Sequence, residues 1–257
     1  MRNFIFLSLV IILSCNNHDS NANASSDTTG NKNVNTETAA AGCSNNLYFK
    51  KGTIIDATTY DGAGKVMGLQ TSTVTKVYNE ADKVVSEIAM KTSNADGKDE
   101  KNVAAIYKCD GENFEMDMNF LRGASDAANV KAAGMFFPLQ LKAGQTLPDA
   151  NHTINIASSG KNMKISSHIR DRKVEAKETI TTPAGKFEAF RISAIIDATT
   201  EMEGMTEAMK KSMEEIKKKM GENRFIIWYS PELVIVRMEM YMGGKLQSKT
   251  EVTRIRK

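Results

Sequence analysis

Histidine is scarce in this sequence. Of three in 257 residues, only His152 and His168 lie beyond the first forty positions. Histidine is the usual general base and metal ligand at neutral pH, so its rarity narrows the chemistry. Neither histidine has a Ser or Cys nucleophile near it in sequence. His168 alternates with Lys164, Ser166 and Arg170, which reads as the wet face of a strand. No Gly-x-Ser-x-Gly elbow, phosphate-binding glycine loop or dinucleotide fingerprint occurs. Asp56, Asp61, Asp110 and Asp117 make no calcium-loop pattern, and no carboxylate pair stands out for glycoside hydrolysis. The formal charge is only +3 with both signs interspersed, so no concentrated basic face invites nucleic acid. No catalytic, cofactor-binding or metal-binding residue is expected, and a hydrolase of an envelope polymer is the least favoured function.

Long apolar runs are also missing. The longest, Phe4–Leu13, has ten residues, half the roughly 20 that a membrane-spanning helix needs. It follows Arg2 and ends in Ile12-Leu13-Ser14-Cys15. A basic residue, a short apolar core and a small residue before a cleavage point are the grammar of a signal peptide. The cysteine at the end of that core reads as a lipobox, in which Cys15 receives the lipid anchor. Residues 1–14 are then the signal peptide. Residues 15–42, dominated by Asn, Ser, Thr, Ala and Gly, form a flexible tether that cannot bury enough apolar surface to fold. Residues 43–257 make one domain. The expected address is the outer membrane, on its periplasmic face or at the cell surface.

Cysteine is sparse as well. With Cys15 lipidated, Cys43 and Cys109 remain. An even remainder in an exported chain points to a disulfide, with two separate buried thiols as the alternative. Neither has a His or second Cys at metal-ligand spacing.

Turn residues recur through the folded part, at Asp61–Lys65, Asn79–Asp82, Asn94–Gly97, Asp110–Asn113, Ser159–Asn162, Pro183–Lys186 and Gly243-Gly244. Between them apolar and polar residues alternate. Phe114, Met116, Met118 and Phe120 share one face. So do Met163, Ile165, Ser167 and Ile169; Phe190, Ile192, Ala194 and Ile196; and Val234, Val236, Met238, Met240 and Met242. A period of two with one polar side predicts an all-β antiparallel meander, closed into a barrel or folded into a sandwich. Residues 201–221 break the pattern. Met202, Met205, Met209, Met213, Ile216 and Met220 recur three or four apart, which predicts one amphipathic helix inserted between late strands and packed across the sheet. A shorter helix is expected at Ser125–Lys131.

Methionine is the residue in excess, with fifteen. Met116, Met118, Met163, Met238 and Met240 are candidate linings of an apolar pocket, and Met205, Met209, Met213 and Ile216 the face of a lid helix. Methionine is flexible and polarizable and adapts to irregular guests, so a lipid-like ligand in a barrel is one reading. Ordinary core filling and helix docking is the other. The lysines of the helix read as a solvated face, with anionic lipid as the alternative.

The ordered phrases Tyr48-Phe49-Lys50-Lys51-Gly52-Thr53, Tyr107-Lys108-Cys109-Asp110-Gly111, Leu147-Pro148-Asp149, Thr182-Pro183-Ala184-Gly185-Lys186-Phe187 and Trp228-Tyr229-Ser230-Pro231-Glu232-Leu233 cover most of residues 47–257. In this the chain resembles the TapB-like lipoproteins of Bacteroidota, related to a broader envelope family of unknown function. Ala189 stands where that pattern often has a cysteine. The resemblance implies a β-barrel-like envelope lipoprotein and brings no catalytic residues. The expected function is that of a membrane-anchored, non-enzymatic accessory or interaction protein. Its partners are the membrane, through the N-terminal lipid, and an envelope protein; the alternative is a carrier of a hydrophobic ligand.

Overall fold

Three hairpins are closed by the same device. Asp61 Oδ1 accepts from the amides of Ala63 and Lys65, both at 2.9 Å. Asn94 Oδ1 accepts from Asp96 and Lys98, and Asp110 Oδ1 from Glu112 and Asn113. A side-chain acceptor that mimics a backbone carbonyl is why Asp and Asn open turns. Gly64, with φ of 85°, takes the left-handed corner of the first turn.

The computed structural model describes residues 42–117, 128–132, 135–158 and 161–257. Its strands are β1 (Ile54–Asp61), β2 (Val66–Glu80), β3 (Lys83–Asn94), β4 (Lys101–Cys109), β5 (Asn113–Asp117), β6 (Ala128–Ala132) and β7 (Met135–Pro138). They continue as β8 (Ala150–Ser158), β9 (Lys161–Thr182), β10 (Gly185–Met202), β11 (Asn223–Ser230), β12 (Val234–Met242) and β13 (Lys245–Arg256). One helix, α1 (Glu207–Met220), joins β10 to β11. All thirteen strands lie in one sheet, in the order β6-β8-β9-β10-β11-β12-β13-β1-β2-β3-β4-β5-β7. Every pairing is antiparallel. The sheet is thus two meanders joined where β13 pairs with β1, and it curls into a nearly closed barrel. The open choice between barrel and sandwich resolves to the barrel.

The core lies inside that wall. Ile55, Val74, Ile88, Tyr107, Phe114, Phe137, Val174, Ile192, Phe225, Tyr229, Val236 and Val252 are buried in one cluster, with almost every strand contributing. Phe137 stacks on Tyr229 at 5.2 Å between ring centres. Tyr48, Tyr107 and Phe114 meet edge to face below β4, an arrangement that suits the ring quadrupoles.

One sequence expectation needs correction here. Residues 128–131 are not helical; they belong to β6, which pairs with β8, while 125–127 lie outside the described residues. A weak local preference yields to ladder pairing, as propensity commonly does. Phe190 shares the face of Ile192 and Ala194, the three lying opposite Tyr229, Ile227 and Phe225 in unbroken register. It packs on the core but stays half-buried, with the Lys177 ammonium over its ring. Between the partners of Arg191 and Ile192, Glu175 is an extra residue on β9, a bulge that offsets that strand against β10.

Candidate functional site

The helix predicted over residues 201–221 exists but is shorter and differently placed. Residues 201 and 202 end β10, and Met205 precedes the helix. Thr206 caps it, its side chain accepting from the Met209 amide, and Gly221 ends it. The apolar stripe does not dock on the sheet: no residue of α1 is buried. Met209 is 50% exposed, Met213 42%, Ile216 52% and Met220 40%. It is a polar flank that meets the barrel. Lys217 Nζ donates to the Ala198 carbonyl of β10 at 3.3 Å. Glu214, Lys217, Lys218 and Gly221 line an open cleft of about 340 Å³ on that polar side. Just after the helix, the Gly243 amide donates to the Glu222 carbonyl at 3.0 Å.

The candidate pocket methionines are spread along the wall. Met116 on β5 and Met238 and Met240 on β12 are half-buried and pack against the core. Met240 lies opposite Phe225, and Met238 opposite Ile227. Met163 is half-buried at the start of β9 and faces Met202 in register. Met118 and Cys15 lie outside the described residues. The cleft beside α1 is not lined by any of these methionines.

The two histidines part company. His152 is buried. His168 is exposed, with Nδ1 2.7 Å from Asn151 Oδ1 and Nε2 3.5 Å from Asp149. Among the described residues no group of three or more His, Cys, Asp and Glu side chains is arranged to hold a metal ion. No helix among them is long and apolar enough to cross a membrane.

Several charged residues pair with one another between neighbouring strands. Glu175 on β9 binds Arg191 of β10 and Arg224 of β11. Burial pulls the Glu175 carboxyl up. Bonds from Ser193 and Arg191 and the charge of Arg224 outweigh it and hold the group below the usual carboxylate range. Glu178 accepts from the indole of Trp228 at 2.7 Å, with the Arg237 guanidinium over the ring. Arg237 and Lys249 both reach the buried Glu251. On β1, Asp56 accepts from Thr71, Arg254 and Arg256. Its burial acts upward, and those three bonds win, so it too sits low.

Two features had little or no signal in the sequence. Arg172 is 3% exposed. It donates through Nη1 to the Pro148 carbonyl at 2.7 Å and through Nη2 to the Phe136 carbonyl at 3.0 Å. It therefore links β9 to the edge strand β7 across the barrel seam. Its only sequence trace is that it alternates in phase with the buried Val174. The polar contact of α1 with β10 left none. Cys43 and Cys109 are bonded, closing a separation of 66 residues, and Leu47 donates to the Glu232 carbonyl. The chain therefore enters at the end of the barrel opposite α1.

This architecture is shared with solved structures. A Bacteroides fragilis protein of YmcC-like fold, taken to be exported, superposes with a TM-score of 0.61 at 22% identity, over 82% of this chain and 100% of that one. A Parabacteroides distasonis protein taken to be a lipoprotein gives 0.59 at 19%, over 82% and 97%. At such identities the likeness shows the fold. No curated protein matches the chain. The DUF3108-like family model matches residues 50–252, from just before β1 into β13, and the chain belongs to that family.

Proposed function

We propose that the protein is an envelope lipoprotein, held to a membrane through Cys15, that acts by surface interaction and not by catalysis. The observation that carries this reading is the division of its apolar surface. The barrel buries a large cluster of its own side chains, and of the nine large apolar side chains exposed among the described residues, four lie together on α1. Glu175, Glu178, Asp56 and Glu251 are engaged in ion pairs between strands, an arrangement suited to holding strands together. Arg2, the apolar run and Cys15 supply the export and anchoring signals. The names of the two structural relatives, one exported and one a lipoprotein, agree with such an address. The phrases shared with TapB-like lipoproteins favour that branch of the family, and the outer membrane as the anchoring site. Cell fractionation tests the anchor. The chain should sediment with membranes and yield an acylated N-terminal peptide, and Cys15→Ser should release it. Unchanged sedimentation of Cys15→Ser would refute the anchoring.

A second reading has one observation in its favour. Met116, Met238 and Met240 pack on the core yet stay only half-buried, which leaves the inner wall adaptable to a lipid-like guest. Native mass spectrometry of protein from its own envelope should then show a bound hydrophobe, absent from a folded Met116→Glu, Met240→Glu variant. Protein at its bare mass rejects the carrier.

A further inference from the structure

The exposed stripe of α1 has a rim of one charge. At about 100° per residue, Lys210, Lys217 and Lys219 stand within about 90° of the centre of the Met209, Met213, Ile216 and Met220 stripe, and Glu207, Glu214 and Glu215 lie about 130° or more away. From outside the molecule the helix therefore offers apolar side chains bordered by ammonium groups, with its carboxylates turned aside. Lys217 reaches the Ala198 carbonyl and Lys210 reaches Glu207; both remain exposed and charged.

From this segregation we infer that α1 is an interfacial helix that seats its methionine face in an anionic lipid surface. Apolar residues on one side and lysine at the border are what such a surface selects, because the apolar chains enter the acyl boundary while ammonium groups stay among the headgroups. A second copy of the chain fits poorly. The 14 residues of α1 run about 21 Å, and four partly exposed side chains supply a few hundred Å² at most, against roughly 800 Å² per partner in a stable complex. Two such stripes would also bring like-charged rims together. A lipid surface needs no such area, since weak insertion beside a covalent anchor is an intramolecular event. Reach is no obstacle. α1 lies at the end of the barrel opposite the chain entry, along a wall of about 60 Å for the 18 residues of β10, which leads into it. The tether of 27 residues, 16–42, extends to about 90 Å.

The inference goes beyond the anchoring reading, and its test leaves Cys15 out so that each can fail alone. The chain from Asn16 onward is mixed with vesicles of phosphatidylglycerol and phosphatidylethanolamine, or of phosphatidylcholine, and sedimented. Binding is expected on the anionic vesicles, and much less on phosphatidylcholine. Met213→Gln with Ile216→Gln should weaken it roughly tenfold or more, since two apolar chains no longer insert. Lys210→Gln with Lys217→Gln and Lys219→Gln should weaken it several-fold, as should raised salt. Both variants change exposed positions to a good helix former, and near-ultraviolet circular dichroism checks that they fold. No binding to anionic vesicles, or equal binding by the Met213, Ile216 variant, overturns the inference. So does a dimer that this variant converts to monomer without any loss of lipid binding, which would assign the face to a second copy.

Discussion

Replacing Arg172 with methionine should open the seam of the barrel. Among the described residues, β7 is one edge of the sheet and pairs with β5. Beyond Ile169, β9 has left β8, and the segment before β8 takes its place, with the Leu147 amide on Arg172 and the Val174 amide on Gln145. The Arg172 guanidinium, over the Phe137 ring at 5.5 Å, ties this segment to β7 through two carbonyls. Hydrogen bonds from a charged donor are worth about 1.5–3 kcal/mol each. Burial works against the charge and lowers the Arg172 pKa, with Asp149 partly opposing. Methionine relieves that desolvation but leaves two carbonyls without the guanidinium, at about 1–3 kcal/mol each. The net loss should be about 3 kcal/mol. Arg172→Lys should lose about 2 kcal/mol, because one ammonium does not reproduce a planar fork. Urea unfolding followed by the fluorescence of Trp228 measures both, and hydrogen exchange should quicken in β7 first. A loss under about 1 kcal/mol with unchanged β7 exchange would show that the seam closes without Arg172.

The Cys43–Cys109 bond closes a separation of 66 residues, and loop entropy gives it about 4 kcal/mol; Cys43→Ala with Cys109→Ala should lower the urea midpoint accordingly, and an unmoved midpoint would deny the bond any such role. Asp56 is held below its ordinary pKa when folded, so its contribution is present above the unfolded value near 3.9 and is lost as pH falls through the folded one. Stability should therefore decline below about pH 4, and Asp56→Asn should flatten that decline; an identical acid limb in the variant refutes the assignment. Burial raises the phenol of Tyr48 to about 12 and pushes Tyr107 and Tyr229 up as well. Their folded pKa values lie above the unfolded one near 10, so that stability is complete below pH 10 and fades above it. Absorbance titration should show these three ionising only as the protein unfolds, and early ionisation of six tyrosines would contradict the burial.

The wall of this barrel was legible wherever a local rule decides. Asp61, Asn94 and Asp110 close their turns with their own side chains, and that chemistry lies within a few residues of sequence. The alternation of Phe114 with Met116, and of Val234 with Val236, predicted correctly which side faces inward. What could not be read was set by pairing at a distance. The bulge at Glu175 offsets β9 against β10, and it exists only in the pairing of those two strands. Residues 128–131 are a strand because β8 lies alongside. The order that puts β6 and β7 at the two edges, and so demands a staple such as Arg172, emerges only once both meanders meet.

The helix shows the same limit in the candidate site. Amphipathicity establishes that α1 has an apolar face, but not which surface receives it. Docking that face beside Ala198 would have covered the Arg170–Asp197 pair, 2.7 Å apart, which Lys217 also approaches. Taking ions out of water costs several kcal/mol each. Methionine and isoleucine gain about 1.5–3 kcal/mol when fully buried, and these four already hide about half of their surface, so the gain left is about 3–6 kcal/mol. Two or three desolvated ions exceed it. The polar flank meets the barrel without that cost, and the methionine face is left outward. That balance keeps the stripe in water beside the barrel, and the inferred lipid surface would bury the same four side chains without covering the Arg170–Asp197 pair.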